Sequence, residues 1–289
     1  MTEMESNWTV ITGSTGGIGT EIAKILAGRG DHLILVNRSP QKAERQRSEL
    51  LAGHEGLRIE LVTADFMDTA SIAKAIGEIV ALPGRIDTLY NNAGVLTSEK
   101  ILSEQGFESH FAVNVLAPYQ LIKGLRTTMA RTSSDKSAMI INFSSSAIKQ
   151  QKSLDLKSLA NPDRVTGLMG TYAQSKLAVT AMSVALADSL AEDHILIRAV
   201  DPGPTKTSMT KGNAAMPKPL QWLAPLLFSP AEKQARKVID AADVSMFEKG
   251  SGVLIANRKK KNLPKTAAGA TTQNQLLTLL DHSLAASSD

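Results

Sequence analysis

The chain has 289 residues, of which 43% are hydrophobic and 21% charged, with a net charge of +4 and no cysteine. A chain of this length buries a sizeable core without disulfides or structural metal. The absence of cysteine excludes disulfide frameworks, cysteine-ligated zinc, iron–sulfur clusters and thiol nucleophiles, so we expect no metal and a reducing, cytoplasmic location.

The first eight residues include Glu3 and Glu5 and have no basic segment, which is not the pattern of a secretory signal. No apolar run approaches the roughly 18 residues of a membrane-spanning helix. We therefore expect no transmembrane segment.

Short apolar segments alternate with helical patterns along the chain. The predicted strands are Thr9–Thr12, Leu33–Val36, Ile59–Thr63, Thr88–Tyr90, Met139–Phe143, Leu196–Val200 and Gly252–Ala256. Most are apolar at every position, as is typical of parallel strands covered on both faces. The alternation predicts an α/β fold: a single Rossmann-type domain with a doubly wound, seven-stranded parallel sheet and helices on both faces.

Three elements are predicted near the C-terminus. Ser229-Pro230-Ala231-Glu232 predicts a helix start with Ser229 as N-cap, and this helix should extend to about Phe247. The basic run 258–261 is interpreted as a solvated loop, with contact to nucleic acid or phosphate as the alternative. Residues 275–283 predict an amphipathic helix that covers the sheet edge or joins a subunit interface.

The first predicted strand runs directly into a glycine-rich loop. Its sequence is Thr12-Gly13-Ser14-Thr15-Gly16-Gly17-Ile18-Gly19, and a helix follows at once. Glycines let the backbone turn sharply and approach a pyrophosphate, whose charge then lies at the helix N-terminus. The spacing departs from G-x-G-x-x-G, but the strand–turn–helix context is the one that dinucleotide binding requires. A tight turn without a ligand is the alternative.

The end of the second predicted strand indicates which dinucleotide would bind. An acidic residue there would accept a hydrogen bond from the ribose 2′-hydroxyl of NAD, whereas arginine suits a 2′-phosphate. The strand ends in Asn37 and Arg38 with no acid, and Lys42 follows one turn later. A guanidinium matches phosphate geometry, so NADP(H) is favoured over NADH. The alternative is that Arg38 is an ordinary surface residue.

Tyr172 and Lys176 lie four residues apart and would project from the same face of a helix. The phenol pKa is ordinarily near 10, and a neighbouring cation lowers it by favouring the phenolate. The pair is therefore a candidate general acid and base.

Several ordered features together resemble the short-chain dehydrogenase/reductase family over about residues 7–257. They are the Gly13–Gly19 loop, Asp65 after the third strand, Asn91-Asn92-Ala93-Gly94 after the fourth, Asn114, Ser144-Ser145 after the fifth, Tyr172 with Lys176, and Pro202-Gly203 after the sixth. The resemblance implies an oxidoreductase with a cofactor-binding half (about 7–150), a catalytic and substrate half (about 151–257), a lid (about 204–230) and a C-terminal extension (about 258–289).

The resemblance also implies roles for individual residues. Ser145, chosen over its two serine neighbours, would donate to the substrate carbonyl oxygen, and Tyr172 would protonate that oxygen. Lys176 would bind the nicotinamide ribose, and Asn114 would hold a proton-relay water chain. The cofactor would contact Gly13, Ser14, Gly17, Ile18, Gly19, Asn37, Arg38, Asp65, Phe66, Asn92, Ala93, Gly94, Tyr172, Lys176, Pro202, Gly203 and Thr207.

The function implied is an NADP(H)-dependent carbonyl reductase or alcohol dehydrogenase that acts on a small molecule. The resemblance implies a homo-dimer or homo-tetramer, with a monomer as the alternative because some members with a long insert are monomeric. Two alternatives are an NADP(H)-sensing regulator without turnover and an epimerase or dehydratase of the extended branch. The latter is suggested because the glycine loop also fits T-G-x-x-G-x-x-G through Gly16. The chain length, the N-N-A-G run and the single serine-to-tyrosine module argue against that branch.

Two features resemble the retinol dehydrogenase and protochlorophyllide reductase group. The stretch of 26 residues between Ser145 and Tyr172 is long, and Gly106-Phe107-Glu108 leads to Asn114. This group often acts on bulky, lipophilic carbonyls. The apolar residues between Met209 and Phe228 would suit such a substrate as a lid, with plain packing against the core as the alternative. His110 has no metal-ligand spacing around it, and we expect it to be structural or exposed.

Overall fold

One sheet of eight strands organises the residues that the computed structural model describes, which are 7–130, 137–206, 228–243, 250–263 and 265–287. The strands are β1 (Asn7–Thr12), β2 (His32–Asn37), β3 (Ile59–Thr63), β4 (Arg85–Asn91), β5 (Ala138–Phe143), β6 (Ile195–Asp201), β7 (Val253–Ala256) and β8 (Lys259–Lys261). Their spatial order is β3-β2-β1-β4-β5-β6-β7-β8. The reversal between β1 and β4 makes the sheet doubly wound, and the predicted α/β class is confirmed.

Helices connect these strands. They are α1 (Gly17–Ala27), α2 (Pro40–Leu51), α3 (Thr69–Val80), α4 (Ser109–Phe111), α5 (Ala117–Met129), α6 (Thr171–Ala185), α7 (Ala187–Ala191), α8 (Ala231–Ala242), α9 (Lys265–Ala268) and α10 (Ala270–Ala285). A π-helical turn, Ala112–Leu116, joins α4 to α5. Short 3₁₀ segments cover Ser146–Gln150 and Gly167–Met169. No helix among the described residues is both long enough and apolar enough to cross a bilayer.

Apolar side chains cover both faces of the sheet. On β1, Val10 belongs to one buried cluster and Ile11 to a second, because successive strand residues point to opposite faces. Both side chains are fully buried. The apolar run that predicted this strand therefore reflects a parallel strand with helices packed on each side.

The seven predicted parallel strands are all present, but the sheet has an eighth, antiparallel strand, and the loop assigned to the basic run is therefore wrong. Asn257 and Arg258 both have positive φ, of 50° and 58°, and form a two-residue turn that brings Lys259 opposite Ala256. This geometry suits an antiparallel hairpin, so β8 pairs with β7. The three lysines of β8 are exposed at the sheet edge, where lysine discourages pairing with another chain.

The predicted start of α8 also needs correction. Pro230, not Ser229, occupies the N-cap, and α8 ends at Ala242. Ser229 is engaged elsewhere: its main chain donates to the Pro204 carbonyl and accepts from the Lys206 N–H, both at 3.0 Å. The predicted continuation through residues 244–247 lies outside the described residues.

The C-terminal helix α10 packs one face against the core rather than covering the sheet edge. Leu276 and Leu280 are fully buried against the core that contains α5 and α6. Asp281 accepts hydrogen bonds from the Tyr119 hydroxyl at 2.8 Å and from the Lys123 ammonium at 2.6 Å. α10 is therefore fixed to α5 by both apolar and charged contacts.

Leu280→Ala tests this packing. Truncating a buried leucine costs about 2–5 kcal/mol of unfolding free energy, because a cavity remains. We expect a loss of that size in denaturant unfolding. Thr278→Ala, an exposed change on the same helix, should leave stability within about 0.5 kcal/mol. Equal effects of the two changes would show that α10 does not pack as described.

Candidate active site

A cleft of about 730 Å³ opens at the carboxyl ends of the central strands. It is lined by the glycine loop, by the residues that follow β2 to β6, and by the start of α6. In a doubly wound sheet, ligands bind at this edge, where the strand order reverses. The volume lies within the range of small-molecule and cofactor sites.

The conformation of the glycine loop explains which glycines it needs. Gly17 has φ of +53°, a conformation that side chains disfavour. A Cβ on Gly19 would lie 2.4 Å from the Gly13 carbonyl oxygen and 2.5 Å from Asn92 Nδ2, so α1 can approach the loop only with glycine there. Gly16 has an extended φ of −154° and open space where a Cβ would be. The loop therefore meets the T-G-x-x-x-G-x-G requirement rather than the alternative through Gly16.

Side chains behind the loop hold it in place. Asn92 Nδ2 donates to the main-chain oxygens of Thr12 at 2.8 Å and Gly13 at 3.0 Å. From β2, Asn37 donates to Ser14 Oγ at 2.8 Å and accepts from the Thr15 N–H at 3.1 Å. These bonds pre-form the loop.

Two predicted cofactor residues, Ser14 and Gly19, lie behind the cleft rather than on its surface. Ser14 is fully buried, and its hydroxyl donates to Gln46 Oε1 at 2.8 Å. Gln46 in turn donates to the Ser14 carbonyl at 2.7 Å. The sequence analysis missed Gln46, because nothing local marks a helix residue 32 positions away as a partner of the loop.

One end of the cleft presents groups that can hold an anion. α1 begins at the loop without a side-chain cap, which leaves main-chain N–H groups for an anion. Arg38 is exposed, and together with Lys42 it lines the same end of the cleft. Asp65 and Phe66, which follow β3, also line the cleft.

Ser145 and Tyr172 meet at the other end of the cleft. The Ser145 hydroxyl lies beside the Tyr172 phenol: burial raises the pKa of that phenol, and the serine acts against the rise. Ser144 instead turns into the protein and bonds Thr180 Oγ1 at 2.8 Å. The structure thus places the predicted serine, and not its neighbour, against the tyrosine.

Lys176 is 5% exposed, and its ammonium donates to the Phe143 carbonyl at 2.8 Å. It lies 5.8 Å from the centre of the Tyr172 ring. Burial lowers the lysine pKa to about 8 and raises the pKa of Tyr172 to about 12. The expectation that the lysine lowers the tyrosine pKa is therefore wrong, because loss of solvent outweighs the other influences on both groups.

Asp201 is a cleft residue that the sequence analysis did not single out. It ends β6, and its carboxylate accepts from the Gly203 N–H at 2.9 Å. Burial raises its pKa, and its charge adds to the rise in the pKa of Tyr172. Its position directly before Pro202-Gly203 is a signal that could have indicated it.

Asn114 lies in the π-helical turn and is buried behind the cleft surface. Its side chain accepts from the Val95 N–H at 2.8 Å and donates to the Val95 carbonyl at 3.1 Å and to Ser175 Oγ at 3.0 Å. Such turns are frequent at functional sites. Here the turn places the Asn114 side chain so that its hydrogen bonds fix Val95, which follows the N-N-A-G run.

The remaining predicted residues divide into two groups. Gly13, Gly17, Ile18, Asn37, Asn92, Ala93, Gly94, Pro202 and Gly203 line the cleft. Thr207 and the lid residues 209–227 lie outside the described residues, whereas Phe228 lines the cleft.

The long stretch after Ser145 folds back onto α6 through Gln174. The amide of Gln174 donates to Gln151 Oε1 at 2.7 Å and accepts from the Asp155 N–H at 2.9 Å. Gln151 Nε2 donates to the Met169 carbonyl at 2.7 Å. This chain of contacts brings Leu168 and Met169 to the cleft wall.

Comparison with known proteins identifies the family. The model of the family described as short chain dehydrogenase matches residues 7–218, which is more than half of the chain. This chain belongs to the short-chain dehydrogenase family. The family assignment made from the motifs is thus confirmed.

Two relatives show how far the similarity extends. Short-chain dehydrogenase TIC 32 A, chloroplastic, of Brassica napus is 33% identical over 207 residues, which cover 69% of this chain but only 64% of that protein. Polyprenol dehydrogenase of Homo sapiens is 29% identical over 278 residues, 92% of this chain and 82% of the relative. The chain thus spans just under two thirds of the Brassica protein. Because that protein is chloroplastic by name, the predicted cytoplasmic location stays a prediction.

Solved structures share the fold. A blue fluorescent protein from a metagenomic library, solved in complex with NADPH, has a TM-score of 0.68 and 24% identity, covering 88% of this chain and 97% of that one. At this identity, the likeness concerns the fold.

Two glycine substitutions test the loop. Gly19→Ala should cost about 1–3 kcal/mol of unfolding free energy, because its methyl group would overlap the Gly13 carbonyl. Gly16→Ala is the matched control and should leave stability within about 0.5 kcal/mol, because its methyl group would meet only open space. Thermal unfolding measures both effects. An equal loss of stability in the two variants would contradict this description of the loop.

Proposed function

We propose that this chain is an NADP(H)-dependent oxidoreductase that interconverts a carbonyl compound and an alcohol. The convergence of Ser145, Tyr172 and Lys176 at the cleft, opposite the glycine loop, carries this proposal. The Ser145 hydroxyl lies beside the Tyr172 phenol, and the Lys176 ammonium lies 5.8 Å from the centre of the tyrosine ring. The dinucleotide supplies or accepts the hydride when bound.

The protein's own groups handle the proton and the developing charge. In carbonyl reduction, the Ser145 hydroxyl donates a hydrogen bond to the substrate oxygen and stabilises its negative charge. Tyr172 gives that oxygen its phenolic proton. With a pKa raised to about 12, Tyr172 holds this proton throughout the neutral range. In alcohol oxidation, the deprotonated oxygen of Tyr172 takes the proton from the alcohol.

The preference for NADP(H) rests on Arg38 and Lys42. Both line the cleft directly after β2, where a carboxylate would select NAD. Asn37 is the residue that ends β2, and its amide is committed to the glycine loop. The two cations thus supply the charge that a 2′-phosphate requires.

An apolar, bulky carbonyl suits the substrate end of the cleft. The cleft that Tyr172 lines has apolar side chains in its wall, which are Leu96, Leu168, Met169 and Phe228. Apolar walls with few polar groups are typical of sites for lipophilic ligands. We propose a substrate of this kind, in agreement with the resemblance to the retinol dehydrogenase and protochlorophyllide reductase group.

Tyr172→Phe tests the chemistry. Losing a general acid lowers turnover by about 100-fold or more, whereas the phenyl ring preserves the packing. We expect NADPH oxidation with a panel of hydrophobic aldehydes and ketones to fall by that factor, with NADPH affinity within about twofold of wild type.

Tyr119→Phe is the matched control, because this tyrosine bonds Asp281 far from the cleft. It should retain wild-type turnover. Wild-type-like turnover in Tyr172→Phe, or no turnover of any carbonyl or alcohol by the unmodified protein, would refute the proposed reaction.

Arg38→Ala tests the cofactor preference. Hydrogen bonds to charged groups contribute about 1.5–3 kcal/mol, so NADPH affinity should fall about tenfold or more, while NADH affinity stays the same. Calorimetric titration with both dinucleotides measures this. Arg45→Ala, an exposed arginine of α2 outside the cleft, should change neither. Equal NADPH and NADH binding in the unmodified protein, unaffected by Arg38→Ala, would contradict the preference.

A further inference from the structure

A buried acid–base pair lies behind the cleft and has no part in the mechanism above. Glu108 and His110 both have no exposed surface. His110 Nδ1 lies 3.0 and 3.1 Å from the two carboxylate oxygens of Glu108, and His110 Nε2 accepts from the Thr97 N–H at 3.2 Å. Since Nε2 accepts, the ring proton is on Nδ1 and points to the carboxylate. This arrangement fixes the tautomer and the orientation of the ring.

The carboxylate of Glu108 is itself fully engaged. It accepts from Ser109 Oγ at 2.7 Å and from the His110 N–H at 2.9 Å. Burial acts to raise its pKa, but the hydrogen bonds from His110 and Ser109 hold that pKa below its usual value. Its main-chain N–H donates to the Ala160 carbonyl at 2.8 Å, which ties the pair to the long stretch before α6.

The imidazole ring contacts the proposed proton donor. The rings of His110 and Tyr172 meet edge to face, with centroids 6.1 Å apart and planes at 77°, a favoured geometry for two rings. The phenol hydroxyl lies beside Ser145. The tyrosine ring therefore meets the serine at its hydroxyl end and the histidine along its side.

The same histidine also holds a wall of the cleft. Asn114 binds both main-chain groups of Val95, and His110 binds the main chain of Thr97. Leu96 lies between these two attachments and lines the same cleft as Tyr172. The His110 side chain thus contacts both Tyr172, the proposed proton donor, and the main chain of the cleft wall that carries Leu96.

We propose that Glu108 and His110 form a positioning pair that sets the orientation of the Tyr172 ring and the position of Leu96 relative to it. The pair acts through these two residues and transfers no proton, because both ring nitrogens are committed to hydrogen bonds. This inference rests on the proposed function, since it assigns Tyr172 as the proton donor.

The principal variant is His110→Asn. Its amide can still donate to Glu108, so the buried carboxylate keeps a partner, but the ring contact and the acceptor for Thr97 are lost. We expect kcat for carbonyl reduction to fall about tenfold or more while the KM for NADPH stays within about twofold. His54→Gln is the matched control: His54 bonds the Leu50 carbonyl outside the cleft, and its loss should leave kcat and KM unchanged.

A readout independent of turnover is available because the chain has only three tyrosines. Ring-¹³C-labelled tyrosine gives three sets of NMR signals, and Tyr172→Phe assigns the one from Tyr172. In His110→Asn, the Tyr172 signal should shift and broaden, while those of Tyr90 and Tyr119 stay in place. A wild-type protein without carbonyl turnover would refute the proposed function, and the NMR result would still test the positioning.

Two results would overturn the proposal. One is an unchanged Tyr172 signal together with kcat within about twofold of wild type. The other is an equal disturbance of all three tyrosine signals in His110→Asn and in a second variant, His110→Gln, since that would make the pair a general part of the core. Should His110→Asn fail to fold, the His110→Gln spectrum decides between these outcomes.

Discussion

The hydrogen bond from the Lys176 ammonium to the Phe143 carbonyl is the contact on which the arrangement of the site depends. It joins α6 to the last residue of β5 at 2.8 Å. A buried ammonium needs such an acceptor, because an unpaired charge away from water is strongly destabilising. Once the lysine is fixed there, the phenol of Tyr172, one turn earlier in α6, must lie over the residues that follow β5, and Ser145 is among them.

A second layer of buried hydrogen bonds keeps α6 and the central strands in register. Asn91 at the end of β4 donates to Asn142 of β5 at 2.8 Å, and Asn142 donates to Ser183 of α6 at 2.9 Å. These polar groups lie among apolar side chains, where a lost partner is costly. A shift of α6 along the sheet would break them together with the lysine contact, so the core specifies the positions of Tyr172 and Lys176, the proposed catalytic residues.

The sequence predicted the features that depend on local pattern. Apolar runs located the first seven strands, and the glycine loop and Tyr172 stood in recognisable contexts. β8 was missed because a run of lysines has low strand propensity, and it forms only through pairing with β7 across a tight turn. The pKa of Tyr172, the contact of His110 with its ring and the place of Asp201 depend on burial and on which groups meet in space, and no local pattern records these.

Titration of Lys176 tests the account most directly. In protein labelled with ¹³C at lysine Cε, one resonance, identified by its loss in Lys176→Met, should titrate with a pKa near 8 in the absence of ligand. That value would show a desolvated ammonium beneath Tyr172, held as the site requires. A resonance that titrates near the ordinary lysine pKa of about 10.4 would mean that the side chain is solvated, and the contact with Phe143 on which the site depends would be contradicted.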